Sequence, residues 1–294
     1  MTTSSPSSLT ADTIKTLQFT WRNQQVRWYQ SGKGSDLVFM HGWGSSASPF
    51  FPLATTLSDL RSCSMIDFPG FGQSETLKTP WSLSDYSDLV VSWLDEAGIK
   101  QFDVLVHSFG NRVLLDLLLR PEFAGRIQKI IVTGGAGLKP RRSLKTRAKL
   151  TFVKVLKFPT TFLTNSLSEW YLTRLRSSGL WKRMGSSDYS KLSGAMRQTF
   201  TQVVNSHFDS MLGQISREML LLWGENDTAT PLEQGYRLEK AIKGSALIEL
   251  KGAGHYAFLD KPHEFASIVR AYLMDSDSDS LHSRGTGNSA LSPA

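Results

Sequence analysis

A chain of 294 residues, 40% hydrophobic and 20% charged, can bury one sizeable core plus an insertion and requires no second domain. No apolar run reaches the ~18 residues of a membrane-crossing helix, and the polar start MTTSSPSSLTADTIK lacks a basic segment followed by an apolar one, so neither a transmembrane helix nor a secretory signal is expected. The formal charge is +7, and Cys63, the sole cysteine, excludes an intrachain disulfide and fits a reducing, cytoplasmic setting in which it acts as a buried packing residue.

In chain order, residues 1–14 are rich in Ser and Thr and are expected to be disordered. Residues 17–20 (LQFT) and 25–30 (QVRWYQ) form a hairpin around Arg22, Asn23 and Gln24. Residues 36–40 (DLVFM) read as a buried strand ending in His41-Gly42-Trp43-Gly44, and 62–68 as another ending in Asp67-Phe68-Pro69-Gly70-Phe71-Gly72. An amphipathic helix spans 81–97, with Leu83, Tyr86, Leu89, Val90 and Leu94 on one side. The run 104–106 is a strand that passes without a linker through His107-Ser108-Phe109-Gly110 into a helix whose apolar face holds Val113, Leu114, Leu117 and Leu118. A further strand, 128–133, closes in Gly134-Gly135.

Strand has alternated with helix to this point, the pattern of an α/β fold with a mostly parallel sheet and helices on both faces. The alternation stops near Gly137. Residues 138–214 are basic, aromatic and helical in pattern and read as a helical cap inserted into a core of 15–137 and 215–274. The alternation then resumes with strand 219–223, helix 231–241 with Pro at its first turn, strand 246–250 and helix 262–273. The Asp-Ser-rich tail, 275–294, is expected to be disordered.

Charge is concentrated in the cap: between residues 139 and 191 roughly a dozen Lys and Arg face only Glu169 and Asp188. A solvated basic surface is the ordinary reading. An acidic substrate or an anionic membrane surface is the sharper one, and weak interfacial contact, the alternative, would fall at 150–163, where Lys154 and Lys157 alternate with Phe152, Val153, Leu156, Phe158 and Phe162. No nucleic-acid motif accompanies the charge, so no nucleic-acid partner is expected.

A strand, sharp turn and helix around Ser108 would hold a hydroxyl above the carboxyl end of a parallel strand, where a serine nucleophile belongs. Such a hydroxyl needs a base, and the base needs a carboxylate to fix its tautomer. His255 follows the strand 246–250 in a glycine-rich loop, and Asp227 follows the strand 219–223. All three therefore fall at carboxyl ends of strands, with Ser108 expected to attack, His255 to move the proton and Asp227 to orient His255. Glu225 and a plain helix-capping role compete for the Asp227 position, but the preceding strand end, 133–137, offers no carboxylate. The oxyanion hole is expected from the backbone N–H groups of Phe109 and Trp43, with the Trp43 indole walling the pocket. His41 is read as ordering its loop, His107 as facing away from the site, and 67–72 as a scaffold turn. No metal-ligand cluster and no cofactor motif is visible.

His41-Gly42-Trp43-Gly44, Asp67 to Gly72, His107 to Gly110, Trp223-Gly224-Glu225-Asn226-Asp227 and Gly252-Ala253-Gly254-His255 stand in the order found in the α/β-hydrolase fold family, and the chain from 17 to 273 resembles its capped, cofactor-independent serine hydrolases. That resemblance implies an eight-stranded, mostly parallel sheet and a cap over the site. It also implies a small-molecule, apolar acyl substrate. Its Ser nucleophile argues against epoxide opening and dehalogenation, which use a carboxylate there. Ester hydrolysis leads, as a carboxylic ester hydrolase; C–C bond hydrolysis of a β-diketone-like substrate and a non-catalytic binding role are the alternatives. One departure is Val106, where the family's turn usually has Gly.

Overall fold

Alternating side chains in KTLQFTW and QQVRWYQS build an antiparallel hairpin, β1 (Lys15–Trp21) and β2 (Gln24–Ser31). Arg22 and Asn23 form its two-residue turn at φ 47° and 60°, a left-handed pair whose twist matches that of the strands. The computed structural model describes residues 14–141, 192 and 194–285, with side chains to 275.

Six more strands follow: β3 (Ser35–Met40), β4 (Arg61–Ile66), β5 (Phe102–His107), β6 (Ile127–Thr133), β7 (Leu220–Gly224) and β8 (Ala246–Leu250). They complete an eight-stranded sheet in the order β1-β2-β4-β3-β5-β6-β7-β8. β2 pairs antiparallel with β4, and every pairing from β4 to β8 is parallel. The central strands are continuous apolar runs, as parallel strands covered on both faces must be; all six residues of β5 are buried.

The helices are α1 (Phe51–Leu57), α2 (Leu83–Glu96), α3 (Phe109–Leu118), α4 (Pro121–Ala124), α5 (Gly194–Val204), α6 (Leu232–Ala241), α7 (Ala257–Asp260) and α8 (Pro262–Gly285). Val104, Val106, Trp93, Leu114, Trp223 and Leu238 form the apolar layer between the sheet and α2, α3 and α6. Phe39, Leu105, Leu57, Phe265 and Val269 form the layer on the opposite face, under α1 and α8. α2 starts where the sequence allows a reciprocal cap: the Asp85 N–H donates to Ser82 Oγ (3.3 Å) and the Ser82 N–H donates to Asp85 Oδ2 (2.8 Å).

The predicted strands and the helices at 81–97 and 231–241 are present, with bounds that differ by at most two residues at their ends. Two differences stand out. α1, α4 and α7 are short and lie in stretches whose apolar periodicity is too brief to announce a helix. The last helix was expected to stop at 273 with a disordered tail from 275, but α8 continues to Gly285. Once its first turns are docked, each added residue costs only propagation, and Asp and Ser are tolerated there. Of the expected cap, α5 and a 3₁₀ turn at Leu212–Gln214 are described, whereas 142–191, including the interfacial segment 150–163, lie outside the described residues. No helix among the described residues is long and apolar enough to cross a membrane.

Candidate active site

β5 ends at His107, and the chain reverses at Ser108, whose φ of 49° and ψ of −108° lie outside the regions open to most L-residues. The turn is over-determined by backbone hydrogen bonds. Ser108 N–H donates to Thr133 O (3.2 Å), Gly110 N–H to His41 O (3.1 Å), and both Asn111 N–H and Ala136 N–H donate to Ser108 O (3.1 and 3.0 Å). Gly110 is required by packing: a Cβ there would lie 2.3 Å from Met40 O. The close approach of strand and helix thus falls at Gly110, while Val106 is fully buried in the apolar layer and leaves the turn intact.

The loop after β3 packs against this turn, since a Cβ on Gly42 would lie 3.1 Å from Ser108 Cβ. His41 orders that loop, as read from the sequence: its Nδ1–H donates to Gly42 O (2.7 Å) and its Nε2 accepts from Phe68 N–H (3.0 Å). Full burial lowers its pKa to about 4 and keeps the ring neutral. Asp67 pins the neighbouring turn, accepting from Ala47 N–H (2.7 Å), Gln73 N–H (2.8 Å) and the Tyr29 hydroxyl (3.1 Å). Burial, reinforced by that carboxylate, pushes the Tyr29 hydroxyl up to about 12.

Asp227 and His255 meet across the loops that follow β7 and β8, with His255 Nδ1 2.8 Å from Asp227 Oδ2. Asp227 Oδ1 accepts from the N–H groups of Ala229 (2.9 Å) and Thr230 (2.8 Å). Burial raises the Asp227 carboxyl, but the His255 hydrogen bond and charge, together with the Thr230 donors, outweigh it and hold it below the ordinary carboxylate range. Glu225 is turned elsewhere and accepts from Gly252 N–H (2.9 Å).

The sequence reading missed Thr230 and Gly134. The Thr230 hydroxyl lies 2.8 Å from both Gly134 O and Asp227 Oδ2, and 3.2 Å from His255 Nδ1. Its one proton goes to an oxygen, which leaves it free to accept from the ring. Asp followed three residues later by Thr is the spacing of an Asx-type turn and was the available signal. Gly134, at φ 52°, lies so close that a Cβ would sit 3.1 Å from both Asp227 Oδ2 and His255 Nδ1.

His107 does not face away. Its ring centroid lies 4.5 Å from that of His255, and its Nε2 is 3.0 Å from His255 O. The reversal at Ser108 redirects the chain after His107, not the His107 side chain itself, which tucks between Gly42 and the His255 loop. Burial lowers its pKa to about 3, so the neutral ring donates Nε2–H to the carbonyl.

Ser108, His255, Trp43 and Phe109 line one cavity of about 410 Å³, with Phe200 of α5 across from them. The Trp43 indole stands edge-on to Phe71 and Phe109, with ring centroids 4.8 and 5.6 Å away. Among the described residues, neither the Trp43 nor the Phe109 N–H has an acceptor, Phe109 being the first residue of α3. No group of three or more His, Cys, Asp or Glu among the described residues could hold a metal ion.

Residues 37–262 match the model of the alpha/beta hydrolase fold. The chain belongs to the α/β-hydrolase fold family. Curated relatives of this α/β hydrolase include the 2-hydroxy-6-oxononadienedioate/2-hydroxy-6-oxononatrienedioate hydrolases of Escherichia coli K12, 24% identical over 85% of this chain and 91% of the relative, and of Klebsiella pneumoniae, 25% identical over 86% and 92%. Solved α/β hydrolases share the fold. One is a meta-cleavage product hydrolase from Pseudomonas fluorescens, with a TM-score of 0.62, 17% identity and coverage of 86% of this chain and 96% of that one. Another is an esterase from Exiguobacterium antarcticum, with a TM-score of 0.65, 19% identity and coverage of 86% and 96%.

Proposed function

We propose that this α/β hydrolase cleaves a carboxylic ester or related acyl compound through an acyl-enzyme on Ser108. The observation that carries the reading is the bond of 2.8 Å between His255 and Asp227, with His255 lining the cavity that Ser108 also lines. In this reading His255 takes the Ser108 proton as the hydroxyl attacks the carbonyl, then returns it to the leaving group. Asp227 holds Nδ1–H, so Nε2 is the basic nitrogen, and it stabilises the imidazolium that forms. The N–H groups of Phe109 and Trp43 receive the developing oxyanion; preorganised donors of this kind are worth about 3 kcal/mol each in the transition state. Residues 138–214 act as the cap that shapes the substrate pocket. The buried single thiol of Cys63 supports a reducing compartment such as the cytoplasm.

A fluorophosphonate probe should label the native protein covalently and stoichiometrically, and Ser108→Ala should take no label. Label retained on Ser108→Ala would remove the assignment. A second reading, C–C bond hydrolysis of a β-diketone-like compound, is favoured by the dienedioate hydrolases among the relatives. Turnover of such a compound with no turnover of p-nitrophenyl esters would select it.

A further inference from the structure

Arg112 lies one turn into α3 from Ser108, about 6 Å along the helix axis, and lines the same cavity. It is 7% exposed, yet among the described residues its guanidinium has a single partner, the carbonyl oxygen of Ser206, to which Nη1 donates. No carboxylate among the described residues pairs with it. Other described arginines are treated differently: Arg237 pairs with Asp209 and Glu233, Arg141 with Glu233, and Arg120 with Asp88 and Asp116. A buried cation with one of five N–H groups spent on a neutral carbonyl is costly and incompletely satisfied. Burial accordingly lowers its pKa to about 10, with no opposing charge to restore it. None of its described nitrogens is both inaccessible to solvent and without a partner, so its remaining donors keep contact with solvent. Gln234, 5% exposed, lines the same cavity, and its side-chain amide makes no hydrogen bond among the described residues. Leu138, Phe200 and Val203 give the same cavity an apolar stretch of wall.

We propose that Arg112 is the anion anchor of this cavity, and that the substrate is an acyl compound bearing a carboxylate a few carbon atoms from its scissile carbonyl. The inference rests on the hydrolase reading for the word acyl, but not for the anion site. A carboxylate entering the cavity would accept from the fork of Arg112 while its apolar spacer lies along Leu138 and Val203, and a charge with no carboxylate partner among the described residues becomes paired. This sharpens the apolar acyl substrate expected from the sequence: the spacer is apolar and its far end is charged.

The test compares mono-p-nitrophenyl glutarate with p-nitrophenyl pentanoate, chains of equal length that differ in the terminal carboxylate. The native protein should favour the glutarate ester in kcat/KM. Arg112→Gln keeps a donor for Ser206 O but no charge, and should lower the glutarate-to-pentanoate ratio by roughly 30-fold; Arg112→Lys should retain part of it. A native preference for the pentanoate ester, or an equal fall on both esters in Arg112→Gln, would make Arg112 a strap on Ser206 and overturn the proposal. If neither ester is turned over, the ester-hydrolase reading has failed, and calorimetric titration with glutarate decides the anchor alone: binding that Arg112→Gln abolishes sustains it, and no binding to the native protein overturns it.

Discussion

Ser108 is held at a φ and ψ that glycine adopts freely and a side chain does not, a strain of about 1–3 kcal/mol that the hydrogen bonds around it must offset. Ser108→Ala keeps the strain and loses the hydroxyl, whereas Ser108→Gly removes both. Urea unfolding should therefore find Ser108→Gly more stable than Ser108→Ala by about 1 kcal/mol, net of the entropy glycine adds to the unfolded chain. Equal midpoints would mean that the turn stores no strain. Ser108, Asp227 and His255 could be read from the sequence because each follows a strand pattern and carries a recognisable chemistry. The spacing of Asp227 and Thr230 announced a turn but not the contact with His255, and nothing announced Arg112. A threonine in a turn and an arginine in an apolar helix acquire their roles only from what the fold packs against them: Asp227 and Gly134 in one case, and the cavity wall and Ser206 in the other.

At the scale of elements, the end of β5 is tied to the loop after β8 by His107, whose Nε2–H reaches His255 O. Burial is the largest influence on His107 and disfavours its protonation, as do the charges of His255 and His41, while the His255 carbonyl and Asp227 favour it. The sign follows from its folded pKa of about 3, which lies below the ~6.5 of an unfolded histidine. The unfolded chain binds the proton first, so this stability is present above pH ~6.5 and is lost as pH falls from there toward the folded value. His41, at about 4, acts in the same direction. Between pH 7 and pH 5, His107 alone should cost roughly 2 kcal/mol of stability. His107→Gln, which keeps a donor for the carbonyl, should shrink the difference in unfolding free energy between those pH values by that amount, as measured by denaturant titration at each pH. An undiminished pH dependence would mean that the ring is not held neutral by burial. This link was misread from the sequence because a residue beside a sharp turn has no periodicity to fix its direction.

Across the whole molecule, the last helix is anchored to the sheet by a buried charge. Arg61, at the start of β4, donates Nε–H to Asp103 Oδ2 on β5 (2.9 Å) and Nη2–H to Leu273 O on α8 (2.8 Å), while Lys129 of β6 donates to the carbonyls of Tyr272 and Leu273. Both members of the pair are nearly inaccessible, with side chains 3% and 8% exposed. Burial raises the Asp103 carboxyl in spite of Arg61, so removal of Arg61 leaves an uncompensated buried acid. Arg61→Met should lower stability by about 3–5 kcal/mol, and adding Asp103→Asn should recover part of the loss because the amide still accepts from Lys129 N–H. Urea midpoints of the single and double variants measure both. No recovery would show that the lost tie to Leu273, rather than the stranded acid, carries the cost. The alternation of strand and helix made the sheet and its edge legible from the sequence. This tie was not legible, because Arg61, Asp103 and Leu273 lie in different segments that only the fold brings together.

The insertion falls between β6 and β7, so Ser108 belongs to the chain before it and Asp227 and His255 to the chain after it. The two parts share the sheet through the pairing of Ile131, Val132 and Thr133 with Leu220, Leu221 and Leu222. A chain severed inside the insertion would leave the proposed nucleophile on one fragment and its proposed base on the other. Turnover by such a pair would then be a readout of reassembly, which makes this architecture a natural split reporter.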